Sequence, residues 1–209
     1  MRRRILLAAT ALFALAPLGL QAQDGLQMRV DRSTNAADPD DVPEVTVAAA
    51  DNGFQVNTGP AAVLWDPNQT ASGTYTLSAT FHLVQPSDHA NYYGLVFGGS
   101  GLEGADQQYL YFLVAQNGTY LVKQRDGDAT TNDIQGRTAS DAVQQPDGSG
   151  TSVNELEVRV GASDITFAIN GTVVHTAAKS GMAAVTDGIY GVRVNHRIPG
   201  VIVEGLGTS

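Results

Sequence analysis

The chain has 209 residues, no cysteine, 12 Lys and Arg against 21 Asp and Glu, and a formal charge of −9. Without cysteine there can be no disulfide, thiol nucleophile or zinc–thiolate site, and the acidic balance argues against a phosphate-binding nucleic-acid surface. With 43% hydrophobic and only 16% charged residues, the chain can bury a sizeable core and is not a disordered polyelectrolyte.

Residues 1–22 read as an address. Arg2, Arg3 and Arg4 form a positive head, residues 5–20 are uncharged and mostly apolar, and Leu20-Gln21-Ala22 places a small residue before the polar Gln23-Asp24. That layout predicts a cleaved secretory signal and a secreted or periplasmic protein. The alternative is a membrane anchor, which Pro17, Gly19 and Gln21 disfavour. Cleavage would remove three arginines and no acid, leaving nine cations against 21 acids and a formal charge of −12. No later segment is apolar for the ~20 residues that a membrane helix needs.

Residues 23–43 are polar and without period, which predicts a flexible lead-in ahead of one domain over 44–209. Within the lead-in, Asp38-Pro39-Asp40-Asp41 fits a solvated acidic turn better than a calcium site. From Val45 onward the chain breaks into short alternating runs. The clearest is residues 74–84, where Tyr75, Leu77, Ala79, Phe81 and Leu83 share one face and Thr74, Thr76, Ser78, Thr80 and His82 the other. Residues 92–98, 107–115 and 119–125 follow, the last two joined at Gln116-Asn117-Gly118. Then come residues 155–160, a run through Ile165, Phe167 and Ile169, and residues 172–176 beyond Asn170-Gly171, a pair suited to a type I′ hairpin turn. Residues 187–195 and 200–206 close the series. Residues 127–150 read as a long polar loop with one helical turn near 140–143. About ten short strands without a helical period predict an all-β antiparallel sandwich or barrel.

Four stretches carry a family likeness: Tyr93-Gly94-Leu95-Val96-Phe97; Tyr109-Leu110-Tyr111-Phe112-Leu113 with its hairpin into Tyr120-Leu121-Val122; the run from Asn154 through Val160 into Ile169-Asn170-Gly171; and Gly188-Ile189-Tyr190-Gly191-Val192-Arg193. Together they resemble the concanavalin A-like lectin/glucanase (laminin G-like) jelly rolls of secreted bacterial proteins. They look similar also to the 3-keto-disaccharide hydrolase-like domains. The resemblance implies an antiparallel β-sandwich of jelly-roll type over about residues 74–206. It also allows one structural calcium, for which Asp126, Asp128 and Asp133 are candidate oxygen ligands.

For hydrolysis of a glycosidic bond, a carboxylate pair is the usual requirement. Glu155 and Glu157 alternate on one strand face about 7 Å apart, but they flank the core positions Leu156 and Val158 and read better as solvated glutamates. His82, His89, His175 and His196 are dispersed; Glu157 and His196 are the weak catalytic candidates. Gly98-Gly99-Ser100-Gly101 lacks the helix that would set it on a phosphate. Trp65, the sole tryptophan, reads as a plug of the sandwich.

A sugar-binding face has the better claim, because sugars are held by aromatic rings and planar polar side chains. Lys123 and Arg125 share one strand face, Arg193 and Asn195 another, and Tyr109 and Tyr111 a third that supplies an aromatic platform. Whether these faces meet in one groove is open at this level. Three readings stand: a module binding carbohydrate or a similar extended ligand without chemistry of its own, a glycoside or 3-keto-glycoside hydrolase, and a structural or adhesion module for another protein.

Overall fold

The computed structural model describes residues 25–32, 43–88 and 90–209. Residues 1–22, read as a secretory signal, and Asp38-Pro39-Asp40-Asp41, read as an acidic turn, lie outside the described residues. The strands are β1 (Gln27–Asp31), β2 (Thr46–Ala50), β3 (Gly53–Asn57), β4 (Ala61–Ala71), β5 (Tyr75–Leu83), β6 (Tyr92–Ser100), β7 (Gln108–Ala115), β8 (Thr119–Asp126), β9 (Thr130–Ala139), β10 (Ser152–Val160), β11 (Asp164–Ile169), β12 (Thr172–Ala178), β13 (Gly188–Val194) and β14 (Val201–Thr208). They pair antiparallel into two seven-stranded sheets: a front sheet β1-β4-β13-β6-β7-β8-β9 and a back sheet β12-β11-β10-β5-β14-β3-β2.

Alternation along the strands decides what lies between the sheets. Leu64, Leu95, Phe112, Val122 and Val192 point inward from the front sheet, and Leu77, Phe81, Leu156, Phe167 and Val203 from the back one, all of them fully buried. Phe167 ties the layers together, its ring 5.3 Å from that of Phe112 and 6.2 Å from that of Phe97. In a chain without cysteine this apolar layer and the sheet hydrogen bonds hold the two halves together.

The turns follow the local chemistry. Asn170 and Gly171 both take positive φ, 51° and 78°, as a type I′ hairpin requires. The Asn170 side chain then bonds outward, donating to the Ala142 carbonyl at 2.8 Å and accepting from the Glu155 N–H at 2.8 Å. Between β7 and β8 only Gly118 is left-handed, at φ 79°, and its N–H donates to the Ala115 carbonyl, the three-residue form of the hairpin. Gly98, at φ 61°, sits where the β6–β7 register slips between Phe97 and Ser100. The glycine pair there makes a β-bulge, and a Cβ on Gly98 would lie 2.7 Å from the Val185 carbonyl.

Several expectations are corrected. Gln27–Asp31, inside the stretch read as a lead-in, is a strand paired to β4, with Arg29 opposite Val63 and Asp31 opposite Ala61. Residues 130–139, read as loop, form the edge strand β9 on β8. β9 carries polar residues on both faces, and β1 offers only Met28 and Val30 against Gln27, Arg29 and Asp31, too short an alternation to mark a strand in a polar stretch. The turn at 140–143 is a single one, closed by Val143 N–H to the Ser140 carbonyl at 3.2 Å. Trp65 does not plug the space between the sheets. Its neighbour Leu64 points there, and Trp65 joins Val63, Val96, Tyr109, Tyr111 and Leu113 in a second buried cluster on the opposite, outer face of the front sheet.

Candidate functional site

The register of the front sheet builds this face. Arg193 on β13 lies opposite Val63 on β4, and Val63 lies opposite Arg29 on β1. Tyr109 and Tyr111 on β7 lie opposite Arg125 and Lys123 on β8. Lys123 and Arg125 in turn lie opposite Asp133 and Thr131 on β9. Cross-strand partners share a face, so five strands deliver cations, tyrosines and acids to one side of one sheet.

Arg193 is its hub. The side chain is only 13% exposed, and its Nη1 donates to Asp31 Oδ2 at 2.7 Å and to the Tyr109 hydroxyl at 2.9 Å. Its Nε donates to Asn195 Oδ1 at 3.1 Å, and the guanidinium stands 5.8 Å from the Tyr111 ring centre. Tyr109 and Tyr111 pack at 5.6 Å, their rings buried, so they brace the arginine. Burial disfavours the charged form of Arg193, but Tyr109 and Asp31 more than restore it and raise its pKa. Burial likewise opposes ionisation of Asp31, yet the guanidiniums of Arg193 and Arg29 hold its carboxyl below the usual range. Burial pushes both tyrosine hydroxyls up, which keeps them neutral, and the Tyr109 oxygen accepts from Arg193.

The six residues proposed from sequence for ligand contact, Tyr109, Tyr111, Lys123, Arg125, Arg193 and Asn195, are thus brought to one sheet. Asp31 and Arg29 were missed. Arg29 donates to Asp31 at 2.9 Å and to Asp128 at 2.6 Å. Their only sequence signal was the weak alternation Gln27, Arg29, Asp31 against Met28 and Val30.

The other candidates lie apart. Glu157 is on the outer face of the back sheet, paired with Arg159, while His196 follows β13 of the front sheet, so they make no catalytic pair. His82 Nε2 pairs with Glu204 at 3.1 Å, and His175 packs on Phe167 at 5.9 Å; His89 lies outside the described residues. The calcium candidates do not assemble. Asp128 is taken by Arg29 and Gln107, Asp126 by Gln108 at 3.1 Å and Asp133 by Lys123 at 2.8 Å. Among the described residues no three His, Asp or Glu side chains group as metal ligands. At one end of the sandwich a cavity of about 480 Å³ is lined by Glu44, Asn57, Pro86, Asp88, Arg197 and Pro199. Arg197 there has φ 53° and pairs with Asp88 at 3.0 Å.

Two apposed antiparallel sheets of seven strands each give this chain a β-sandwich fold of jelly-roll type. Among solved structures it is similar to the carbohydrate binding module CBM66 from Bacillus subtilis, with a TM-score of 0.59 at 11% identity over 79% of this chain and 92% of that one. It is similar also to a protein of unknown function with a galectin-like fold from Bacillus subtilis (TM-score 0.57, 12% identity, 88% of each chain). A third likeness is to the Emp46p carbohydrate recognition domain in its metal-free form (TM-score 0.51, 11% identity, 86% of this chain and 88% of that one). At these identities the likeness is one of fold. No protein-family model and no curated protein matches the sequence. Among the described residues no helix is long and apolar enough to cross a membrane.

Proposed function

We propose that this protein is an exported carbohydrate-binding module, without chemistry of its own, whose ligand lies along the outer face of the front sheet. The observation that carries the reading is the convergence of Arg193, Asn195, Lys123 and Arg125 on one side of one sheet, over the buried pair Tyr109 and Tyr111. Planar guanidinium and amide groups match the paired hydroxyls of a sugar, and the tyrosines hold Arg193 in place so that little side-chain freedom is lost on binding. The fold supports the reading, since it is shared with a carbohydrate binding module and a carbohydrate recognition domain. Export is inferred from the layout of residues 1–22.

A glycan array run with calcium and with chelator, with every hit checked for cleavage, tests it. Binding without cleavage that weakens in a folded Arg193→Ala variant is the expected result. Cleavage of the bound glycan, or undiminished binding by that variant, would refute the proposal.

A further inference from the structure

The charges on the front face do not cancel. Asp31 is shared by Arg193 at 2.7 Å and Arg29 at 2.9 Å, and Arg29 also holds Asp128 at 2.6 Å. Lys123 is neutralised by Asp133 at 2.8 Å. Arg125, whose charge is also felt by Asp31, Tyr109 and Tyr111, has no carboxylate partner among the described residues. Its side-chain hydrogen bond runs from Nη1 to Thr131 Oγ1 at 3.2 Å, and its Nε is buried with no partner. Around Arg125 three arginines therefore face two aspartates beside a neutral pair, and Arg137 lies 5.3 Å from the Tyr92 ring centre on the same face, so positive charge is in local excess in a chain whose net charge is −9.

From this we infer that the saccharide taken by this face carries a carboxylate, as a uronate unit does, and that Arg125 receives it. Nη1 is turned to Thr131 and Nε is enclosed by protein, which leaves Nη2 as the guanidinium nitrogen open to a ligand oxygen. Nη2 carries two N–H groups and a share of the guanidinium charge, a charged donor suited to a carboxylate oxygen. A neutral hydroxyl would satisfy one donor and leave the surplus charge in place. Arg193, already committed to Asp31, Tyr109 and Asn195, braces the site from the neighbouring strand. The inference rests on the carbohydrate-binding reading and narrows its ligand class.

The test is calorimetric titration of the protein with a uronate oligosaccharide, with the same oligosaccharide after its carboxylates are reduced to hydroxymethyl groups, and with a sulfated neutral oligosaccharide of equal length. The uronate is expected to bind about tenfold more tightly than its reduced form, with the advantage shrinking at high salt. Arg125→Gln should erase that advantage at an unchanged melting temperature, and Arg125→Lys, which keeps charge without the guanidinium, should restore part of it. Equal affinity for the uronate and its reduced form overturns the inference and leaves the carbohydrate reading standing. A preference for anions that Arg125→Gln does not diminish, or a sulfated ligand bound as well as the uronate, also overturns it. Silence with all three ligands and across a broad glycan array brings down both readings.

Discussion

Replacing Asp31 by Asn tests the hub of the front face. The substitution keeps the shape of the side chain but withdraws the charge that compensates Arg193, and both side chains are only 13% exposed. Breaking one partner of a buried ion pair costs about 3–5 kcal/mol. Here the loss is moderated, because Arg193 keeps the Tyr109 hydroxyl and Asn195, and Arg29 keeps Asp128 and the Gly104 carbonyl. About 2–3 kcal/mol is therefore expected, or roughly 5–10 °C in melting temperature for a domain of this size. Urea denaturation and thermal melting at neutral pH measure it. The double variant Asp31→Asn/Arg193→Met should recover much of the loss, since it removes the stranded charge as well. Acid titration supplies an independent check. The folded-state pKa of Asp31 lies below its ordinary value of 3.8, so its contribution is complete above that value and is lost as pH falls through the lower one. Asp31→Asn should accordingly flatten the acid limb of the stability curve. A neutral-pH loss below about 0.5 kcal/mol, the range of ordinary surface changes, would refute the account of Arg193 as a held and compensated charge.

In the core, Phe167→Ala removes a ring that touches both layers and should cost about 3–5 kcal/mol, read from the urea midpoint. At the β11–β12 turn, Asn170→Ala loses the side-chain bonds to Ala142 and Glu155 and strains a φ of 51°, for about 2–4 kcal/mol together. Asn170→Gly should cost about 1 kcal/mol less because the backbone strain is relieved, and equal losses in the two variants would remove strain from the explanation. For the site, Glu157→Gln should leave glycan binding unchanged, because Glu157 lies on the outer face of the other sheet. Loss of binding in that variant, with its melting temperature preserved, would move the site to the back sheet.

The sandwich was legible from sequence wherever one face of a strand is apolar and the other wet. Leu77, Ala79 and Phe81 alternate with Thr76, Ser78 and Thr80, and Leu156 and Val158 alternate with glutamates, because the two-residue period of a strand divides core from solvent. The Asn170-Gly171 turn was legible for an equally local reason: each residue must take positive φ, and few residue types do so cheaply. Strands β1 and β9 were not: β9 is polar on both faces, and β1 has only two apolar residues, Met28 and Val30, in a polar stretch. Trp65 was misplaced since an apolar side chain announces burial but not in which layer, and here the outer face of the front sheet carries a buried cluster of its own.

By itself, then, the sequence determined a β-sandwich, most of its strands and hairpins, and six residues chemically suited to a polar ligand. Only the tertiary structure decided that those six share a sheet and a face. The order β1-β4-β13-β6-β7-β8-β9 sets residues 29–31 beside 193, and 109–111 beside 123–125, and strand order is a long-range property that no local pattern encodes. The same pairing drew Asp31 to Arg193 across 162 residues of chain and left Arg125 without a carboxylate. A side chain's charge can be read one residue at a time, but its compensation depends on which strand the fold lays next to it.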